Sequence, residues 1–232
     1  MKLVKCVLTS IMLGSVIVTS PASAADDDSY WDIESFVGAS TDYRDRGLRL
    51  SDGDISAFGS VGAYHSKGFY IGVDGASIDD GLGNDARTEF YAGYSLDTGD
   101  YIYDFSLELE GIHGTSSQYY PEIKASISRD FGLAYIRGGL AVAPEGRWSA
   151  PDVDSYYSYV DLDVPFPMLP NFTILTHVGY DVRDGRSNIW DWSLGVSAFV
   201  MENIELNLSY QSSSLDQAIG KDGFVLGVKI YF

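Results

Sequence analysis

The sequence predicts an all-β chain, an antiparallel transmembrane β-barrel of twelve strands, and three observations carry that prediction. Apolar and polar residues alternate with a period of two in segment after segment. The connections between those segments alternate in length, and residues 224–232 form a strand that closes on an aromatic residue, Phe232. Period-two alternation turns one face of a strand toward lipid or core and the other toward water.

The alternation is clearest over residues 101–112, where Tyr101, Tyr103, Phe105, Leu107 and Leu109 are interleaved with Asp104, Ser106, Glu108 and Glu110. It recurs over 190–198, with Trp190, Trp192, Leu194 and Val196 opposite Asp191, Ser193, Gly195 and Ser197. It recurs again over 204–211, with Ile204, Leu206, Leu208 and Tyr210 opposite Glu205, Asn207, Ser209 and Gln211. The same template places strands at 33–43, 54–65, 69–78, 87–96, 101–112, 120–129, 133–143, 155–164, 172–181, 189–199, 204–211 and 224–232. Each is about ten residues long, the length of a tilted membrane strand.

The even-numbered connections are tight, at 66–68, 97–100, 130–132 and 201–203, except for the Pro-rich eighth at 165–171. The odd-numbered ones are mostly longer, as at 44–53, 144–154 and 212–223. Sorting of loops by length is what an outer-membrane barrel with both termini in the periplasm requires, and a soluble β-sandwich has no reason for it.

The ends of the chain point the same way. Lys2 and Lys5 precede an apolar run from Val7 to Val18, and Ala22-Ser23-Ala24 is a small-residue cleavage pattern, so residues 1–24 are expected to be a signal peptide and 25–232 the barrel. The one cysteine, Cys6, falls in that leader, which leaves the mature chain without thiol chemistry. At the other end, Gly227, Ile230 and Phe232 have the spacing of the signal that the barrel-assembly machinery reads.

The formal net charge is −18, which sets nucleic acid aside as a partner. Among the aromatic residues 17 are tyrosine, a ring with a polar tip that suits a membrane interface. No stretch after the leader reaches the ~18 consecutive apolar residues of a spanning helix, so a membrane protein with this sequence has to cross with strands.

Several short motifs resemble the TorF family of porin-like proteins. They are residues 40–47 (Ser-Thr-Asp-Tyr-Arg-Asp-Arg-Gly), Ser51-Asp52-Gly53, Gly68-Phe69-Tyr70, Gly72-Val73 and Tyr91-Ala92-Gly93-Tyr94. In the second half they are Val178-Gly179-Tyr180 and residues 191–196. Asp45 departs from the pattern, which more often has an aromatic or apolar residue there. The resemblance covers most of the mature chain and implies an outer-membrane location and a pore, with no particular substrate.

With the apolar sets facing lipid, the strands turn Asp74, Glu89, Asp104, Glu108, Glu110, Glu122, Asp161, Asp163, Asp181, Asp191 and Glu205 toward the lumen. Lys124, Arg137 and Lys229 are the basic counterparts, and His177 faces inward with them. A carboxylate-rich bore with low-dielectric walls concentrates cations, so modest cation selectivity is expected. The alternative is a plugged interior in which these groups pair with one another and with Tyr70, Tyr91 and Tyr157. Twelve strands lie between filled eight-stranded barrels and water-filled porins, so size leaves both open.

The first loop carries Arg44, Arg46 and Arg49 among Asp42, Asp45, Asp52 and Asp54. It reads either as a constriction or lipopolysaccharide-phosphate contact, or as a loop that neutralises its own charges. Asp79, Asp80, Asn84 and Asp85 around Gly83 lack the order of a calcium loop, so no metal and no cofactor is expected. The histidines are His65, His113 and His177. His113 stands near Thr115, Ser116 and Ser117, but the other two are placed too far away to serve a hydrolase there. Glu108 and Glu110 share one face without a sugar cleft. The expectation is therefore a non-enzymatic channel for small hydrophilic solutes, set in outer-membrane lipid and lipopolysaccharide. The alternatives are an adhesive or structural barrel acting through its outer loops and, further off, an outer-membrane lipid hydrolase.

Overall fold

A computed structural model describes residues 30–115 and 117–232. The expected leader, with Cys6, and Ser116 lie outside these residues. Twelve strands form the wall: β1 (Trp31–Ser40), β2 (Ser56–His65), β3 (Phe69–Ser77), β4 (Asn84–Asp97), β5 (Ile102–Gly114) and β6 (Gln118–Asp130), then β7 (Tyr135–Ala143), β8 (Ser155–Pro165), β9 (Phe172–Arg183), β10 (Ile189–Met201), β11 (Ile204–Ser213) and β12 (Gly223–Tyr231). Each pairs antiparallel with its neighbours in sequence, and β12 returns to β1 to close the ring. Closure leaves no unpaired edge, which is what a sheet needs in order to stand in hydrocarbon.

Side chains sort across this wall as period two demands. Ile71, Phe90, Phe105, Leu107, Ile123, Leu140, Val160, Leu194, Leu208 and Leu226 are exposed on the outer face, where a bilayer would cover them. Aromatic rings mark both rims: Trp31, Phe69 and Tyr94 at the short-turn end, Tyr119, Tyr156, Trp190 and Phe224 at the long-loop end. Rings at both edges of an apolar band are the girdles of outer-membrane barrels.

The short turns are tight because the backbone leaves the right-handed region at fixed points. Gly68, for example, has φ of +95°, and a Cβ there would lie 2.1 Å from the Ser95 carbonyl oxygen. The Pro-rich connection 166–171 folds back on itself through the Leu169 N–H to Phe166 O and Phe172 N–H to Leu169 O bonds.

Most strand ends lie one to three residues from the expectation, and two of these differences matter for the interior. β1 stops at Ser40 and not at 43, because the chain turns inward. Tyr43 joins a dry cluster with Leu50, Ala76, Ile78, Ile112 and Tyr120, flanked by Phe58 and Trp148. Burying that ring outweighs the few ladder bonds a longer strand would add. β4 starts at Asn84 and not at 87, with a bulge between Asn84 and Ala86, so Arg87 lies within the strand and not at its edge.

Candidate functional site: the charged lumen and the loops that enter it

Every lumen residue named from the alternation lies on the inner face. Asp74, Glu89, Glu108, Glu110, Glu122, Asp161, Asp163, His177, Asp181, Asp191 and Glu205 are buried, and Asp104, Lys124, Arg137 and Lys229 are partly buried. A count of three basic partners is too low, however. Arg87 on β4 adds one, and the loops β1–β2 (loop 1) and β7–β8 (loop 4) fold inward and add Arg46 and Arg147, all three less than a tenth exposed. Arg87 continues the inward set of Glu89 and Tyr91, so the period-two pattern did contain it. Arg46 and Arg147 carry no such signal, since a loop has no period.

These groups assemble into two networks. In the first, the Arg87 guanidinium donates to Glu89 at 2.5 Å and to Glu110 at 2.6 Å. Lys124 pairs with Glu108 and, at 3.3 Å, with Glu122. Glu122 also accepts two bonds from Arg46 Nη2, at 2.6 and 2.7 Å. Arg147 pairs with Asp45 and lies 3.5 Å from Glu110 and 3.6 Å from Glu122. In the second, His177 bridges two carboxylates, Asp161 at Nδ1 (2.6 Å) and Asp191 at Nε2 (3.0 Å). The Tyr157 hydroxyl donates to Asp191, and Arg137 holds the other side of Asp161 at 2.8 Å. Arg46 joins the two networks, its guanidinium stacked 4.0 Å from the centre of the Tyr157 ring. Charges this far from water persist because each is paired and hydrogen-bonded.

Most of the remaining inner residues have local partners, while Asp74 Oδ1 is buried without a hydrogen-bond partner. Tyr70 donates to Asp104 at 2.9 Å, Ser155 to Asp181 at 2.5 Å and Tyr231 to Glu205 at 2.5 Å. Asp74 stands beside Glu89 in register, and the Lys229 ammonium lies 5.1 Å from the centre of the Phe36 ring.

Loop 1 turns its arginines inward, while Asp52 and Asp54 stay exposed. Asp42 accepts from Arg44 at 2.8 Å and from Arg49 at 2.9 Å, and Arg46 is committed to Glu122. These guanidinium groups face carboxylates within the protein. For Asp45 in this loop, burial works to raise the carboxyl, but Arg147, Arg46 and Arg87 together outweigh it and hold it below its ordinary value. Small gaps of about 10 Å³ lie beside the loop tips, one by Arg46 and Asp191 and one by Glu110 and Arg147, each with room for about one water.

The other candidate residues stay apart. His113 lies 2.7 Å from Thr88 Oγ1 and 3.2 Å from Ser117 Oγ. His65 sits at a short turn, edge-on to Trp31, and His177 is deep in the lumen. Glu108 and Glu110 are tied to different cations. Asp80 spends its carboxylate on the Leu82 and Asn84 N–H groups, which closes loop 2. Gly227 and Ile230 lie in the β12–β1 seam opposite Ser40 and Val37, and the Phe232 N–H donates to Ser35 O at 2.9 Å.

The sequence model of a bacterial protein family of unknown function, Gcw_chp, matches residues 24–228. No curated protein sequence matches the chain. Among solved structures the fold is similar to that of the KdgM porin, with a TM-score of 0.58 at 13% identity, over 87% of this chain and 99% of that one. A structure of KdgM in complex with disordered oligogalacturonate gives the same values. The NanC porin is similar at a TM-score of 0.55 and 9% identity, over 86% of this chain and 99% of that one. The shared feature is the porin barrel, an outer-membrane fold.

Proposed function

The chain belongs to the Gcw_chp family of bacterial proteins, and on that footing we propose that it is an outer-membrane channel for passive diffusion of small hydrophilic solutes. One observation carries the reading: a closed barrel, apolar outside, whose inner wall is largely charged and polar apart from the apolar cluster at the base of loop 1. A protein that needed only a stable core would fill it with apolar side chains, because buried ion pairs add little stability over well-packed hydrophobic ones. The KdgM structure with oligogalacturonate supports solute entry as a use of this fold, and the resemblance to the TorF family agrees with it.

The lumen carboxylates outnumber the basic groups even with Arg46, Arg87 and Arg147 counted, which supports a mild preference for cations. Phe232 and the β12 strand are assigned to recognition by the assembly machinery, and the outer face to lipid and lipopolysaccharide. No residue is assigned a catalytic role.

The test is conductance of the protein, purified from membranes, in a planar bilayer under a salt gradient. Discrete steps with a cation-favouring reversal potential are expected. A bilayer that stays silent with correctly folded protein, both intact and with residues 44–49 replaced by a short Gly-Ser link, would refute the channel and select the second reading, a closed barrel acting through its outer loops, which the inward packing of loops 1 and 4 favours.

A further inference from the structure

Loop 1 crosses the whole bore. In a ring of twelve strands, β1 and β2 stand opposite β7 and β8. The loop leaves the wall between β1 and β2, and its tip meets Glu122 on β6, Tyr157 on β8 and Asp191 on β10. The tip is a preformed hairpin. Asp45 pairs with Leu48, and Arg46 and Gly47 between them have φ of +48° and +74°, the two left-handed residues of a type I′ turn.

The base and the tip are held by different forces. At the base, Tyr43 and Leu50 are packed into the dry cluster against the wall. At the tip, Leu48 aside, the contacts are charged: Arg46 to Glu122, and Asp45 to Arg147 of loop 4. Arg46 Nη1 is buried without a hydrogen-bond partner, so the guanidinium is held by one of its two terminal nitrogens.

We propose that loop 1 is a gate, hinged at its apolar base and latched across the bore by the Arg46–Glu122 pair, and that solute passes when this latch opens. The inference rests on the channel reading and adds its regulation: the release is ionic, so the chemistry that opens it is competition by mobile charge. The pair is asymmetric. Without Arg46, Glu122 keeps Lys124 and Arg147 nearby. Without the Glu122 charge, Arg46 loses its bidentate partner, so Glu122→Gln should free the tip more than Arg46→Gln.

The experiment compares the full chain with Arg46→Gln, Glu122→Gln and a lockable variant in planar bilayers. The lock is Gly47→Cys with Ser213→Cys in a Cys6→Ser background. A Cβ at Gly47 would lie 3.1 Å from Ser213 Cβ and 2.8 Å from Ser212 O, closer than the roughly 3.5–4.5 Å of a relaxed disulfide, so the tip has to ease back slightly to form the bond. The reduced double variant, which should conduct like the wild type, is the control for strain at this positive-φ position. Expected are a roughly tenfold rise in open probability for Glu122→Gln, within what loss of a charge-assisted hydrogen bond allows, a smaller rise for Arg46→Gln, and loss of conductance on oxidation that a reductant restores. An oxidised lock that conducts like the wild type overturns the gate and leaves the channel standing. A variant with residues 44–49 replaced by a short Gly-Ser link separates the two ideas. If it conducts while the wild type is silent, the gate is supported. If it too is silent when correctly folded, the channel reading fails and the gate with it.

Discussion

Replacing Gly93 by alanine tests how the inner wall is packed. Tyr70 on β3 faces Gly93 on β4, and its ring lies flat on the glycine. An added Cβ would stand 2.3 Å from Tyr70 Cζ and 2.5 Å from the Phe105 carbonyl oxygen on β5. The ring could turn away only by giving up its bond to Asp104, and the carbonyl belongs to the ladder and cannot move alone. Overpacking of this kind costs about 1–3 kcal/mol, and loss of a hydrogen bond to a carboxylate about 1.5–3 kcal/mol, so Gly93→Ala should destabilise the barrel by about 3–5 kcal/mol. Tyr70→Phe carries only the second of these costs. Gly75→Ala is the control, since its Cβ meets nothing nearer than Arg87 O at 3.8 Å, and it should be close to neutral. The assay is urea unfolding in detergent micelles followed by tryptophan fluorescence, with the heat-induced mobility shift on gels as a second readout. If Gly93→Ala unfolds with the wild-type midpoint, the close approach of ring to wall is not what the geometry states.

Further perturbations probe the charges and the loop. Arg87→Ala leaves Glu89 and Glu110 without their shared cation and should cost about 3–5 kcal/mol; the urea midpoint reads it, and Arg87→Ala/Glu110→Gln should recover part of the loss, whereas no recovery would speak against ionic coupling. Leu50→Ala, at a fully buried site, should cost the loop base about 2–5 kcal/mol, exposing loop 1 to protease while the heat-induced shift of the barrel stays put; a shift in both would mean that loop and wall unfold together. The Asp45 carboxyl titrates lower in the folded chain than its ordinary 3.8, so its contribution is complete above that value and fades as pH falls through the lower folded one. Hydrogen exchange in loop 1, corrected for intrinsic rate, should therefore stay constant from pH 8 to 5, and loss of protection already at pH 6 would contradict the clasp with Arg147.

The wall was readable because its physics is local. In residues 204–211 each apolar side chain looks outward and each polar one inward, and this needs no knowledge of the rest of the chain. Arg87 shows where that reading slips: it belongs to the inward row of Glu89 and Tyr91, but it is the first residue of the predicted strand 87–96, where a side chain reads as readily as part of the preceding loop. The loop insertion was out of reach for a different reason. Arg46 finds Glu122 across 76 residues of sequence, and nothing near Arg46 indicates whether its charge turns to water or to a carboxylate inside. Tyr43 has the same ambiguity: it continues the alternation of β1 and yet leaves the strand, because the apolar cluster that receives it is built from β3, β5 and β6.

The ring closes on a short join. β1 pairs with β2 along its whole length from Trp31 to Ser40, but with β12 only over Phe36–Ser40. The first residues of loop 1 extend that join. The Thr41 N–H donates to Leu226 O at 2.9 Å, and its Oγ1 accepts from the Leu226 N–H at 3.0 Å. Arg44 Nη1 donates to Lys221 O at 2.8 Å. These bonds need both sides of the join in place, so they lengthen the contact between the two ends of the barrel beyond the strand pairing itself. Loop 1 thus doubles as a clamp: besides reaching into the barrel, its first residues fasten the opening strand to the segment that leads into and forms the last one.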